Sequence, residues 1–328
     1  MAKVEVSITM PRKKSQSRPV ATRPRSASLQ PASGLKSPPP TVSGRWLLMG
    51  VSVALVGAAV CSWGVLCLLF WQGSWQLLYH PVSAVTRTPA SVGLAFDPVA
   101  FASTETGEPR LKGWWVPASA DARFSRYSRF TVLYLHGQDG NLGDTVDSLA
   151  ALHALGLNVF AFDYRGYGQS QFQRPSEKRW REDANWAIDY LTGIRHIAPG
   201  AIVLNGKALG ANLALEIAAA HPDLAGVVLE SPLDAPMNAI FNDARSWLVP
   251  AHLLVSDRFN ADQAATALKI PSLWFEWTAP PGILGPPEKL EAFRKAGSAK
   301  MLVWLTSSWQ SSKDTTEALA RWLDDLPN

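Results

Sequence analysis

Hydrophobic and polar positions along this chain change period several times, and those changes divide it. From 46 to 71 no charged residue occurs, and Leu, Val, Ala, Gly and Cys dominate. About 20 apolar residues suffice to cross a bilayer core, so this run predicts one membrane-spanning helix with some tilt. Trp46, Trp71 and Trp75 fall where an interfacial aromatic belt would lie. Beyond a connector over 72–88 the pattern becomes short buried strands alternating with amphipathic helices. Segments 94–102 and 110–116 alternate as early antiparallel strands. Segments 130–135, 157–162, 201–204, 227–230, 272–277 and 301–305 read as buried strands rich in β-branched and aromatic residues. Helices are predicted over 145–155, from Ser176 onward with Trp180, Ala184, Ala187 and Leu191 on one face, over 208–220, and over 316–326. Strands alternating with helices predict an α/β domain over 89–328, a mostly parallel sheet covered on both faces.

One turn within this pattern carries a chemical layout. Strand 201–204 runs through Gly206-Lys207-Ala208-Leu209-Gly210 into an Ala/Leu-rich helix. That is the arrangement of a nucleophile elbow, Gly-x-Ser-x-Gly, in which a tight strand-to-helix turn presents a serine above the sheet. Here the apex is Ala208, whose methyl group has no lone pair to attack with.

Charge changes the picture of the first 45 residues. They hold nine Lys/Arg and one acid, Glu5, in a Ser/Pro-rich stretch without apolar periodicity, which predicts a disordered tail. Removing these from the totals of 31 basic and 27 acidic residues leaves 22 basic and 26 acidic, a net of −4 downstream. The domain therefore lacks the basic footprint of a nucleic-acid binder. Basic residues crowd the N-terminal side of the apolar run, so the positive-inside rule places the tail in the cytoplasm and the domain outside it, in the periplasm for a bacterial inner membrane. The long charged region and the length of the apolar run argue against a cleaved signal peptide. Both cysteines, Cys61 and Cys67, lie within the span, and no Cys/His spacing points to a metal; no cofactor is expected.

Further motifs give the chain a family likeness. Leu135-His136-Gly137-Gln138-Asp139-Gly140-Asn141 resembles the His-Gly-Asn-x-Gly-Asn oxyanion loop of membrane-anchored α/β-hydrolase-domain proteins, a group described as serine hydrolases or lysophospholipase-like. The run 162–170, with Asp163, Arg165, Gly166 and Gly168, is similar to their Phe-Asp-Tyr-Arg-Gly-Tyr-Gly-x-Ser. Segments 78–81, 113–117 and 230–232 are similar to further stretches. The likeness is strong to about Pro232 and thin beyond. It implies an α/β-hydrolase fold, with Gln138 and Leu209 as the backbone N–H donors of an oxyanion hole and 163–168 as a fold marker.

Hydrolysis on that fold needs Ser, an acid and His in this chain order. The resemblance puts the acid at Pro280 and the histidine at Gln310, or at Trp309 if the loop is one residue shorter. The histidines are 80, 136, 153, 196, 221 and 252, so none can occupy the last loop. All three triad positions are degenerate: Ala208, Pro280 and Gln310. A non-catalytic binding or scaffolding role is therefore expected. The alternative is an esterase or lipase whose active site has moved, with Ser170, Ser231, Lys207, His136, Asp139, Asp163, Glu230 and Glu276 as the polar residues near the expected mouth. A third reading gives the main role to the basic tail. Segment 234–259, where the family carries its lid, is apolar and fits a cover over a hydrophobic ligand, a docking helix near the bilayer, or core packing over the sheet edge. The expected partners are the bilayer through 46–71 and an apolar ligand or a protein at the vestigial pocket.

Overall fold

Strand β4 (Thr131–Leu135) is buried along its whole length, and the sheet grows from it in both directions. A computed structural model describes residues 43–119, 121, 126–277, 291–305 and 313–327. The tail to residue 42, Pro280 and Gln310 lie outside the described residues. The chain divides into two compact units, Met1–Leu55 and Val56–Asn328, and the sheet and every described site residue belong to the second.

Eight strands form the main sheet: β2 (Asp97–Ser103), β3 (Pro109–Val116), β4, β6 (Asn158–Asp163), β7 (Ile202–Lys207), β8 (Gly226–Glu230), β9 (Ser272–Trp277) and β10 (Lys300–Leu305). Their spatial order is β10-β9-β8-β7-β4-β6-β3-β2. β3 is antiparallel to both β2 and β6, and the remaining neighbours are parallel. Two short segments, β1 (His80–Pro81) and β5 (Asp139–Gly140), pair separately in parallel.

Side chains along each strand alternate between two cores. Leu133, Leu135, Phe160 and Phe162 face one, against α3 (Glu177–Asp189) and α4 (Leu209–Ala220). Val132, Tyr134, Val159 and Ala161 face the other, with Leu149 of α2 (Val146–Ala154) and Leu319, Trp322 and Leu323 of α7 (Lys313–Asp324). This is why the strands read as near-continuous apolar runs: both faces are covered. The predicted face of α3 is observed, with Trp180, Ala184, Ala187 and Leu191 fully buried. Ser176 caps this helix, its hydroxyl accepting from Arg179 N–H.

Helix α1 (Gly44–Gly73) contains the whole apolar run, and Phe70 is its buried residue. Its 30 residues make a rod of roughly 45 Å, and it is the one described helix long and apolar enough to cross a membrane. Segment 234–259 folds as α5 (Asn238–Phe241), a tight turn at Ala244–Leu248 and α6 (Ala251–Leu254). Ile240, Ala251, Val255 and Phe259 pack inward, whereas Trp247, Leu248 and Leu253 are exposed.

Candidate functional site

β4 and β7 are neighbours with Leu135 opposite Gly206. The loop beginning at His136 and the turn at Ala208 therefore emerge side by side at the carboxyl ends of the strands. The chain reverses its direction of travel across the sheet at this point, the usual position of a ligand crevice in α/β folds. Ala208 has φ 50° and ψ −121°, a left-handed conformation that costs a non-glycine residue about 1–3 kcal/mol. Its N–H donates to Glu230 O (2.8 Å), and its carbonyl accepts from Ala211 N–H (2.9 Å). A Cβ on Gly206 would lie 2.3 Å from Gly210 O, and one on Gly210 would lie 2.2 Å from His136 O. The elbow backbone is thus complete, with a methyl group at its apex.

Across from it, the oxyanion loop is held rigidly. Tyr167 Oη donates to Gln138 O (2.8 Å), as does His80 N–H (2.9 Å). Asn141 donates to Val82 O and Ala84 O and closes a reciprocal capping box with Asp144. Trp180 stacks on Tyr164 at 4.1 Å, and Tyr164 Oη donates to His136 O (3.2 Å). The family likeness implies the N–H groups of Gln138 and Leu209 as oxyanion donors. Leu209 N–H donates to the side-chain Oε1 of Gln138 at 3.3 Å. The first N–H groups of a helix have no partner within the helix, and this carboxamide supplies one from inside the protein. Gln138 Nε2 in turn donates to Asp139 Oδ2 (2.8 Å), and Asp139 Oδ1 meets His80 Nδ1 at 2.7 Å. Sequence reading assigned His80 no site role. The two residues stand 59 apart in the chain, and only the pairing of β1 with β5 brings them together.

His136 is a weak base where it lies. It is buried, its Nδ1 is bonded to Gly137 O (2.8 Å), and burial lowers its pKa to about 4. Its Nε2 lies 3.5 Å from Asp163 Oδ1, and burial raises the Asp163 carboxyl to about 7. Between about pH 4 and 7 the pair is thus a neutral imidazole beside a protonated acid. Asp163 also accepts from Leu142 N–H (2.7 Å), tying the two loops. Gly166 and Gly168 take φ of 93° and 48° to turn the chain after Asp163. Arg165 is buried against Asp183, with Nε to Oδ1 at 2.5 Å and N–H to Oδ2 at 2.9 Å, and it reaches Glu182 at 2.7 Å. The 163–168 run is structural here.

These burial shifts give a pH test with opposed signs. Asp163 ionises near 3.8 when unfolded and near 7 when folded, so its stabilisation is complete below about 3.8 and is lost as pH rises through 7. His136 is depressed from 6.5 to about 4, so its stabilisation is present above 6.5 and is lost as pH falls through 4. Between pH 4 and 6.5 the two offset each other. Asp163→Asn removes only the first, so its unfolding free energy should climb with pH relative to wild type, by up to about 1.4 kcal/mol per unit. Urea unfolding at pH 4.5, 5.5 and 6.5 measures this, and parallel curves would contradict the assignment.

The other polar candidates divide clearly. Ser170 is structural, its buried Oγ donating to Asp163 O (2.6 Å) and accepting from Lys112 N–H (2.9 Å). Ser231 sits at the end of β8 beside the elbow at φ 50°, its Oγ 3.4 Å from Phe275 O. Glu230 accepts from Asn205 Nδ2 (2.6 Å), and Glu276 is buried on β9. Lys207 is exposed. A cavity of about 250 Å³ lies between loop and elbow, bordered by His136, Asp139, Asn141, Asp144, Lys207 and Ala208. Among the described residues no group of three or more His, Cys, Asp or Glu is placed to hold a metal.

An eight-stranded sheet in this order, with an elbow at the switch point and a His-Gly loop facing it, defines the α/β-hydrolase class. The chain belongs to the α/β-hydrolase superfamily. Residues 127–271 match the family model for serine aminopeptidase, S33. The chain is 32% identical over 223 residues to the uncharacterized protein Rv2307c of Mycobacterium tuberculosis, covering 67% of this chain and 73% of that one. It is 34% identical over 124 residues to α/β-hydrolase domain-containing protein 17C of Xenopus tropicalis, covering 38% and 39%. Among solved structures, the esterase Pf2001 of Pyrococcus furiosus aligns with a TM-score of 0.56 at 18% identity, over 75% of this chain and 97% of that one. An α/β-hydrolase from Vibrio vulnificus aligns at 0.53 and 22% identity, over 72% and 81%. Likeness at these identities speaks for the fold.

Proposed function

We propose that this protein is a membrane-anchored pseudohydrolase, an α/β-hydrolase scaffold that binds or organises rather than hydrolyses. One observation carries the reading. The strained elbow holds Ala208 at its apex, and the neighbouring oxyanion donor, Leu209 N–H, is bonded to Gln138 Oε1 within the protein. Without a nucleophile, catalysis has only oxyanion donors and binding to draw on, about 10³–10⁴ over water where related enzymes lost their triad. Working enzymes typically reach about 10⁶ or more. A ligand at the elbow would displace the Gln138 carboxamide and present an acceptor to Leu209 N–H. The Leu209 N–H favours an oxygen acceptor there, on a small molecule or a partner protein.

The anchor is α1, and the basic residues preceding it favour a cytoplasmic tail and an extracytoplasmic domain. A second reading, an esterase with a relocated site, draws support from the His80–Asp139 pair. That pair is a histidine oriented by a carboxylate beside the same cavity, the relation a general base needs. It lacks a serine at Ala208. The two readings separate in one experiment, with purified protein assayed on short- and long-chain p-nitrophenyl esters and with a fluorophosphonate probe. Wild type should give neither turnover nor a labelled serine, and either result would favour the esterase.

A further inference from the structure

A cavity larger than the one at the elbow, about 620 Å³, lies at the C-terminal end of α1. Trp71 and Trp75 form one wall, and Arg174, Lys178 and Arg179 contribute another. The charge on that wall is unbalanced. Arg165, also on the lining, is committed to Asp183 and Glu182. Arg174 donates to the Trp71 carbonyl and places its guanidinium 5.5 Å from the centre of the Trp71 ring. Arg179 donates to Arg174 O (3.0 Å) and to Ser176 Oγ (3.4 Å). Among the described residues neither arginine has a carboxylate partner. Glu182 also lies 4.0 Å from Lys178 Nζ, and the other carboxylate on the lining, Asp257, accepts from Tyr79 Oη at 2.6 Å. The lining thus holds four cations, Arg165, Arg174, Lys178 and Arg179, against two carboxylates, Glu182 and Asp257, and burial lowers the pKa of Arg174 although the Asp257 charge works against that shift.

Next to this cavity, with Ser74 on both linings, runs an apolar groove of about 270 Å³. Leu66, Leu69, Phe70 and Leu77 line it from one side, and Leu248 and Val249 from the other. Its depth can be read along the helix. Trp63 Nε1 donates to Leu248 O at 3.0 Å. Trp63 precedes Trp71 by eight residues, which is about 12 Å of helix rise. The 244–254 segment therefore runs beside α1 within the apolar run. Trp247 and Leu253 there are 84% and 86% exposed, costly in water and favourable against hydrocarbon.

We infer that this junction is a binding site for an anionic phospholipid. The phosphate sits among Arg174, Lys178 and Arg179, and the acyl chains lie along the groove between α1 and Leu248-Val249. The order of chemistry along the site, cations at the level of the Trp belt and apolar surface deeper, is the order within a lipid. Guanidinium groups without carboxylate partners suit a phosphate's oxygens. A free phosphate would use the basic cavity and leave the groove empty. The inference rests on the membrane-anchor reading above.

The test uses the full chain. Its first arm is recovery in nanodiscs and resistance to alkaline extraction. Failure there overturns the anchor reading itself. In the second arm, detergent-solubilised protein is titrated with phosphatidylglycerol, phosphatidylcholine or inorganic phosphate, reading thermal unfolding and lipid retained in native mass spectrometry. Phosphatidylglycerol should raise the midpoint and be retained, whereas the other two should not. Lys178→Gln/Arg179→Gln, at exposed and half-buried positions, should fold normally and weaken phosphatidylglycerol binding roughly tenfold or more, as expected for two cations near an anionic headgroup. Equal stabilisation by phosphatidylcholine would remove the role of charge. Equal stabilisation by inorganic phosphate would make this a free-anion site, and unchanged binding by the double variant would place the lipid elsewhere. Each of these three overturns the inference while leaving the anchor intact.

Discussion

Gly210→Ala is expected to destabilise the domain by about 3 kcal/mol or more, although it adds one methyl group. The new Cβ would stand 2.2 Å from His136 O and 2.3 Å from Leu135 O. Both are backbone atoms of the central strand and its loop, so no side-chain rotation relieves the overlap. Helix α4 would have to move away from β4, opening the core that Leu213 and Ala214 help fill. Gly206→Ala meets Gly210 O at 2.3 Å and should behave alike. Gly193→Ala, where a Cβ meets nothing within 4 Å, is the control and should change little. Urea unfolding of the three variants checks this, and similar midpoints throughout would contradict it. The consequence bears on function: these glycines are required for the strand and helix to pack. The elbow therefore keeps its shape whether or not chemistry happens at its apex.

Arg165→Met should cost about 3–5 kcal/mol, the usual penalty for stranding a buried charge. Asp183 is fully buried and takes two bonds from Arg165, through Nε and through the backbone N–H. Burial already raises its carboxyl to about 6 despite that partner. Once the guanidinium is gone, Asp183 must take up a proton or the loop must open. Arg165→Met/Asp183→Leu should recover part of the loss, because no charge is left buried, although the backbone N–H of residue 165 loses its acceptor. Denaturant unfolding of the single and double variants measures the coupling. A double variant as unstable as the sum of the singles would show that the pair does not act as a unit. Either way, the role is to lock the 163–168 loop onto α3, beside His136 and Gln138.

Much of the fold was legible because it rests on local period. The buried face of α3, the antiparallel β2–β3 pair and the elbow between β7 and α4 all follow from spacing that one segment carries by itself. Contacts between distant segments were not legible in that way. β1 and β5 are two residues each, too short to show a period, yet they bring His80 to Asp139. The Gln138 carboxamide over Leu209 N–H depends on a rotamer, which no motif encodes; the family likeness pointed to the backbone of Gln138 instead. In segment 234–259 composition was the same under every reading. Only packing separates Ile240 and Val255, which face the core, from Trp247 and Leu253, which do not.

The central claim is that the elbow survives as architecture without its chemistry, and Ala208→Ser tests it most directly. The variant restores a hydroxyl at the apex of a turn that already has the strained backbone. It restores no histidine in the final loop, because the last histidine in the chain is His252, and His136 stays buried, with its Nδ1 on Gly137 O. Measured on p-nitrophenyl esters and with a fluorophosphonate probe, Ala208→Ser should match wild type, with no turnover above background and no labelled serine. Ester hydrolysis at Ala208→Ser well above wild type, abolished by adding His80→Gln, would contradict the account and give the His80–Asp139 pair a catalytic role.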